Sequence, residues 1–282
     1  MDNPLDRTQD ASEDGRTQMP VLFVGHGSPM NAIEDNPFSR QWRQVGSRLP
    51  RPRAILCISA HWETWGTLVT AMPAPRTIHD FGGFPAELYA ARYSAPGSPP
   101  LAEEVRQLLG PGAVGLDLEW GLDHGCWSVL LQMFPRADIP VVQLSLNAAL
   151  APEDHYALAQ ALAPLRRQGV LILGSGNMVH NLRRVVLVTG SLSDFNHPFG
   201  LDWALEARAL LKSLIDRDRH AELANYAALG PSVQLAVPTP EHYLPLLYAL
   251  ALKRPDDTLS YFNDEAVAGS LTMTSLLLEP HP

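Results

Sequence analysis

The chain has 282 residues, of which 46% are hydrophobic and 18% are charged, so it can bury a sizeable core as one large domain or two small ones. Its formal net charge of −9 provides no basic surface to collect phosphates, which argues against nucleic acid or an anionic membrane as a partner. The two cysteines, Cys57 and Cys126, form no CxxC or other pairing pattern, which argues against a disulfide scaffold.

The first 18 residues are polar and acidic with almost no apolar side chains, which predicts a disordered tail ahead of a domain over residues 19–282. This N-terminus does not resemble a signal peptide. Nor does any apolar stretch approach the ~18 residues that a membrane span needs. We therefore expect a cytoplasmic protein.

From Met19 onward, apolar runs alternate with amphipathic segments. The β-rich runs predict strands over residues 20–24, 53–59, 67–72, 137–147 and 169–176, and an alternating edge strand over 269–279. The 3.6-residue periodicity predicts helices from residue 37 onward and over 98–110, 125–134, 151–165, 201–229 and 240–252. Ser98 is expected to cap the second of these helices, and Gly110 to end it.

The alternation of strands and helices predicts an α/β fold. We expect a three-layer sandwich around a central mixed, mostly parallel sheet, in a single domain. The strand over 67–72 and the C-terminal strand are the two whose direction, parallel or antiparallel, the pattern leaves open.

Four histidines lie in tight junctions next to apolar runs. They are His26 in VLFVGHGSP, His61 in AILCISAHW, His180 in GVLILGSGNMVHN and His242 in VPTPEHYLP. Open α/β sheets bind ligands at the carboxyl ends of their strands, and imidazole is the commonest metal ligand in proteins. Several histidines converging on one edge of a sheet therefore suggest a metal-dependent enzyme.

Other polar residues in these junctions have two interpretations. Asp123 and His124 in LDHGCW fit a helix N-cap, but His124 also fits an acid–base or oxygen-stabilising group. His79 in TIHDFGGFP is either a solvated loop residue or part of a loop that folds over a pocket. Asn177 and Asn181 bracket His180 and are placed to orient it by hydrogen bonding.

Six motifs, GHGSPMN, SAHW, TIHDFGGFP, DHGCW, GSGNMVHN and TPEHYLPLLY, together resemble one family. They look like the extradiol aromatic ring-opening dioxygenases of the DOPA dioxygenase type, which belong to the class III extradiol group, with protocatechuate 4,5-dioxygenase as a more distant relative. The resemblance extends from about Met19 to the C-terminus. It implies that residues 19–282 form the catalytic domain.

The resemblance also implies the chemistry of the site. One divalent metal, Fe(II) for activity or Zn(II) as the bound species, would be held by His26, His61, His180 and His242. The same resemblance implies that His180 serves as an acid–base residue. It places His124 near the oxygen-binding side.

A catechol such as DOPA or caffeic acid, contacted by His79 and Asn177, would react with dioxygen to give a muconic semialdehyde. The protein would be a monomer or a small homo-oligomer. Two points stay open: Glu241 competes with His242 as a metal ligand, and the same histidines would suit a zinc hydrolase or a non-catalytic metal-binding relative.

Overall fold

A computed structural model describes residues 18–281, so all but the last residue of the predicted disordered tail lie outside the described part of the chain. Within those residues the strands are β1 (Val21–Gly25), β2 (Ala54–Thr64), β3 (Thr67–Thr70), β4 (Val114–Asp117), β5 (Val141–Asn147), β6 (Val170–Gly176), β7 (Asp257–Phe262), β8 (Ala266–Val267), β9 (Leu271–Thr272) and β10 (Ser275–Pro280). The helices are α1 (Pro37–Arg48), α2 (Ala86–Ala90), α3 (Pro99–Leu109), α4 (His124–Met133), α5 (Pro152–Gln160), α6 (Pro164–Arg167), α7 (Asp202–Asp216), α8 (His220–Ala224), α9 (Pro231–Ala236) and α10 (Leu244–Ala251).

Eight strands form one mixed sheet in the order β4-β3-β5-β2-β6-β1-β10-β7. Its centre is parallel, because β2 pairs with both β5 and β6, and β6 pairs with β1, in the same direction. The strands whose direction the sequence left open both make antiparallel pairs, β3 with β5 and β10 with β1. The predicted α/β architecture with a mostly parallel sheet is confirmed.

The central strands are apolar on both faces because helices cover the sheet on both sides. In β2, Leu56 and Ile58 belong to one hydrophobic cluster, whereas Ile55 and Cys57 belong to the other. Successive side chains of a strand point to opposite faces, so a continuous apolar run is what a strand covered on both faces requires. None of the helices in residues 18–281 combines the length and the apolar character needed to cross a bilayer.

Helix ends follow the local sequence signals. The Ser98 hydroxyl accepts a hydrogen bond from the amide of Leu101 at the start of α3, and Gly110 ends this helix with φ of +99°, a conformation that favours glycine. Asp123 caps α4 by accepting a hydrogen bond from the amide of Cys126. The helix expected over residues 240–252 begins only at Leu244, which leaves His242 in the preceding turn.

The prediction of a C-terminal edge strand is wrong. Strand β10 lies between β1 and β7, and its side chains Leu276 and Leu278 are fully buried. The edge strand on this side of the sheet is β7, whose sequence DTLSYF lies outside the predicted strands. Its polar residues and exposed positions are typical of an edge, and they gave it the composition of a loop.

One buried ion pair connects the core to this edge. The two terminal nitrogens of the Arg166 guanidinium donate to the carboxylate of Asp257, at 2.7 and 2.8 Å. The same guanidinium also donates to the carbonyls of Met19 and Leu252. The two charged side chains are 1% and 0% exposed. Without Arg166 the Asp257 carboxylate would keep one hydrogen bond, from the backbone amide of Arg254 at 2.8 Å, but it would be buried without a cation.

Replacing Arg166 with methionine is expected to lower the free energy of unfolding by about 3–5 kcal/mol, because the Asp257 carboxylate stays buried without its cation. Urea titration followed by circular dichroism measures the change. The matched control is Arg53→Met, which removes an exposed pair with Glu104 and should cost about 1 kcal/mol or less. Equal losses of unfolding free energy in the two variants would contradict a special contribution of the buried pair to stability.

Candidate metal centre and active site

Five histidines line one cavity of about 320 Å³ at the carboxyl ends of β1, β2 and β6. His26 directly follows β1, His61 lies near the end of β2, and His180 lies four residues beyond β6. His124 is the first residue of α4, and His242 precedes α10. The complete lining is His26, Gly27, Ser28, Pro29, His61, Asp80, Phe81, Phe84, His124, His180, Leu182, Leu192, Phe195, His242 and Leu271.

Local backbone features bring helix α4, which begins at His124, close to His61. The register between β2 and β5 shifts between Ile58 and Glu63, so His61 lies in an irregular stretch of its strand. Gly125 of α4 packs against this stretch, and a Cβ there would come within 2.9 Å of the His61 ring and 2.5 Å of the Ser59 hydroxyl. Glycine at position 125 therefore allows the helix to approach the histidine closely.

The imidazoles fall into two neighbouring groups of possible metal ligands. The Nε2 atoms of His26 and His61 are 3.1 Å apart, and together with His124 they offer three ring nitrogens within 4.8 Å of one another. His180, Glu241 and His242 form the second group, and the His180 and His242 rings stack with their centres 3.5 Å apart. His242 connects the two groups, since its ring centre lies 5.0 Å from that of His61 and 5.3 Å from that of His26.

Hydrogen bonding fixes which nitrogen of His26 faces the cavity. The Ser175 hydroxyl donates its only proton to the carbonyl of Gly125 at 2.5 Å, so it can only accept from the Nδ1 of His26, which is 3.0 Å away. Nδ1 therefore carries the proton, and the lone pair of Nε2 faces His61. Metal-binding histidines are typically oriented in this way by a partner on their second nitrogen.

In three other imidazoles, those of His61, His124 and His242, a carboxylate lies next to Nδ1. Asp80 Oδ2 lies 3.0 Å from Nδ1 of His124 and 3.4 Å from Nδ1 of His61. Glu241 Oε1 lies 3.2 Å from Nδ1 of His242 and also accepts from the Thr239 hydroxyl at 2.9 Å. Each of these Nδ1 atoms faces an acceptor.

Burial favours the neutral form of four of the five imidazoles. It lowers the pKa of His26 and of His61 well below the ordinary value, and the neighbouring imidazoles lower both further. Burial also lowers the pKa of His242, although Glu241 opposes the shift. The pKa of His180 falls to about 3, first through burial and then through the adjacent His242. Neutral imidazole is the form that binds a metal and accepts a proton.

The donor set fits a divalent transition metal. Two nitrogens bound to one tetrahedral zinc lie about 3.3 Å apart, given Zn–N bonds of about 2.0–2.1 Å, and the observed separation of His26 and His61 is 3.1 Å. Buried neutral imidazoles without a thiolate suit iron as well as zinc.

Two residues predicted to contact substrate lie behind the cavity lining. His79 has its Nε2 3.0 Å from the carbonyl of Ala91, and its ring packs on the edge of Phe81, which does line the cavity. Asn177 is buried, donates from its side chain to the carbonyl of Thr272, and accepts no hydrogen bond through its own Oδ1.

The sequence did not point to several residues of the site, among them Asp80, Ser175 and Phe195. Asp80 is the neighbour of His79 in TIHDFGGFP, and Ser175 belongs to GSGN, so both lay within motifs already singled out. Phe195 lies in a short 3₁₀ segment, Leu192–Asn196, whose polar sequence gave no signal of a cavity wall.

Fold and site together define an α/β protein with a metal-binding histidine cavity at the carboxyl edge of its sheet. The family model of the catalytic LigB subunit of aromatic ring-opening dioxygenase matches residues 20–272. The chain therefore belongs to this family, and it is an extradiol aromatic ring-opening dioxygenase.

Similar proteins come from bacteria and plants. The chain is 46% identical over 264 residues to the 4,5-DOPA dioxygenase extradiol of Escherichia coli (strain K12), covering 92% of this chain and 94% of that protein. It is 44% identical over 238 residues to the 4,5-DOPA dioxygenase extradiol of Beta vulgaris, covering 82% and 85%. The crystal structure of an uncharacterized protein from Escherichia coli K12 superposes with a TM-score of 0.78 at 40% identity, covering 92% of this chain and 99% of that one.

Proposed function

We propose that residues 19–282 form one catalytic domain that opens the ring of a catechol carrying a side chain, such as DOPA or caffeic acid, beside its two hydroxyls. Both atoms of dioxygen enter the product, a muconic semialdehyde, and no external reductant is needed. The observation that carries the proposal is the 3.1 Å pair of His26 and His61 facing a cavity with aromatic walls. Relatives named as 4,5-DOPA dioxygenases support this choice of substrate.

The proposed metal ligands are His26, His61 and His242, with Fe(II) as the active metal. His242 is chosen over Glu241 because it lines the cavity, whereas the Glu241 carboxylate is engaged by Thr239 and by His242 itself. When bound, Fe(II) supplies the redox-active, Lewis-acidic centre that extradiol cleavage requires.

The remaining lining residues bind the substrate and move protons. Phe81, Phe84 and Phe195 provide apolar walls that hold a flat ring and exclude water. His180, neutral in its buried position, accepts a proton from a catechol hydroxyl. His124, held by Asp80 on the side of His61, faces the position of dioxygen.

Reconstitution tests the proposal. Metal-free protein loaded anaerobically with Fe(II) should consume oxygen and form a yellow product with DOPA or caffeic acid, whereas the Zn(II) form should do neither, because zinc has no redox chemistry. Mass spectrometry should show a product with two more oxygen atoms than the catechol. Absence of ring cleavage by the Fe(II) form across a panel of catechols would refute the proposed function.

A further inference from the structure

The carboxylate of Asp80, in the loop TIHDFGGFP, lies behind two imidazoles of the cavity. The Oδ2 of Asp80 is 3.0 Å from Nδ1 of His124 and 3.4 Å from Nδ1 of His61, and its Oδ1 accepts from the backbone amide of His124 at 2.9 Å. The Asp80 side chain is 18% exposed and itself lines the cavity. It is the next residue to Phe81, whose ring packs edge-on against His124 with the ring centres 5.5 Å apart.

An ionised carboxylate only accepts hydrogen bonds, so a ring nitrogen facing it is stabilised when it carries a proton. Two imidazoles that both present Nδ1 to Asp80 therefore keep both Nε2 lone pairs free. The ring centres of His61 and His124 are only 3.9 Å apart, so rotation of either ring would disturb the other. One carboxylate thus reaches the Nδ1 of both rings, with a hydrogen bond to His124 at 3.0 Å and a longer contact to His61 at 3.4 Å.

We propose that Asp80 is a positioning residue that holds His61 and His124 in the Nδ1-protonated form and fastens the aromatic wall of the cavity to them. This inference deepens the proposed function, because it takes His61 as a metal ligand. It predicts that the loop carrying Phe81 and Phe84 sets metal affinity as well as substrate contact. Partners that orient metal-binding histidines are typically worth 10–100-fold in metal affinity or activity, by order of magnitude.

Asp80→Asn tests the claim with almost no change in volume. In the wild type Oδ2 faces both ring nitrogens and Oδ1 accepts from the backbone amide of His124, so the NH₂ group of an asparagine faces either the two Nδ1 atoms or that amide proton. The first orientation places a donor against both rings and drives their protons to Nε2, which removes the lone pairs from the cavity. The second places two donors against each other and pushes the side chain away from His124 and His61. Asp80→Glu keeps the carboxylate and should restore part of the loss. Asp138→Asn is the matched control, since that carboxylate is exposed and pairs only with Arg51 and Arg136.

Two readouts need no catechol. The dissociation constant for Zn(II), from competition with a chelator, is expected to rise about 10–100-fold in Asp80→Asn and to be unchanged in Asp138→Asn. Imidazole ¹⁵N spectra of the wild-type Zn(II) protein should show protonated Nδ1 at both His61 and His124. The spectra require no variant, so they test the proposal even if Asp80→Asn fails to fold.

The outcomes separate this inference from the proposed function. Unchanged Zn(II) affinity in Asp80→Asn, or an Nε2-protonated tautomer at either histidine in the wild type, would overturn the role of Asp80. Weaker Zn(II) binding with the expected tautomers supports it, whether or not the Fe(II) form cleaves a catechol. With the Fe(II) enzyme, a role in metal and ring positioning predicts a lower kcat that Asp80→Glu partly recovers.

Discussion

Replacing His61 with alanine is expected to remove metal binding and to lower ring cleavage by more than ~10³-fold, because the rate enhancement supplied by the metal is lost. The Nε2 of His61 is 3.1 Å from that of His26, and its ring centre is 3.9 Å from that of His124 and 5.0 Å from that of His242. Its ring is therefore adjacent to three other imidazoles of the cavity. Without His61, the Nε2 of His26 has no neighbouring nitrogen at 3.1 Å with which to bind the metal.

Iron content by elemental analysis and oxygen uptake with DOPA measure the effect in the same preparation. His197→Ala is the matched control: it removes an exposed imidazole outside the cavity and should change neither quantity. Circular dichroism establishes that both variants fold. A folded His61→Ala protein with a full complement of iron and wild-type oxygen uptake would remove His61 from the metal site.

The convergence of the histidines could be predicted from the sequence because it depends on sheet topology. His26 follows β1, and His61 and His180 lie at or beyond the ends of the neighbouring strands β2 and β6, so a parallel arrangement of these three strands brings them to one edge. Apolar runs bounded by glycine identify such strands directly. The metal-dependent character of the site followed from the same reasoning.

The partners of the histidines could not be predicted, because side-chain contacts between distant segments decide them. Asp80 and His124 are 44 residues apart, and the Ser175 hydroxyl reaches a carbonyl 50 residues away at Gly125. No local pattern encodes such a pairing. The irregular stretch of β2 that carries His61 is also invisible in an apolar run, since a shift of register changes the pairing and leaves the composition unchanged.

The difference between local patterns and pairing of distant segments also explains the wrong prediction at the edge of the sheet. β10 was recognised as a strand, but its position between β1 and β7 depends on a second strand that is half polar. Periodicity reports whether a segment is buried on one face or both, and not which neighbour it pairs with. Recognition of DTLSYF as a strand would have moved the C-terminal strand from the edge to the interior.

Replacing His180 with alanine is expected to lower turnover by more than ~100-fold while metal binding survives, because a positioned proton acceptor contributes about 10²–10⁴-fold to such reactions. Its ring lies parallel to that of His242 at 3.5 Å and forms part of the cavity wall. With a pKa of about 3 the imidazole is unprotonated at physiological pH, so its lone pair is available to a catechol hydroxyl that a bound metal would acidify. Single-turnover oxygen uptake and iron content measure the two effects separately.

A second variant distinguishes proton transfer from packing. His180→Phe keeps a flat ring that can stack on His242 but has no nitrogen to carry a proton. If His180 acts as the base, the phenylalanine and alanine variants lose turnover to a similar extent, and both retain iron. If the ring only supports His242, the phenylalanine variant keeps nearly all of the activity, and the alanine variant loses iron together with turnover. Wild-type oxygen uptake in His180→Ala would exclude both roles, since the reaction would then need neither the proton acceptor nor the stacked ring.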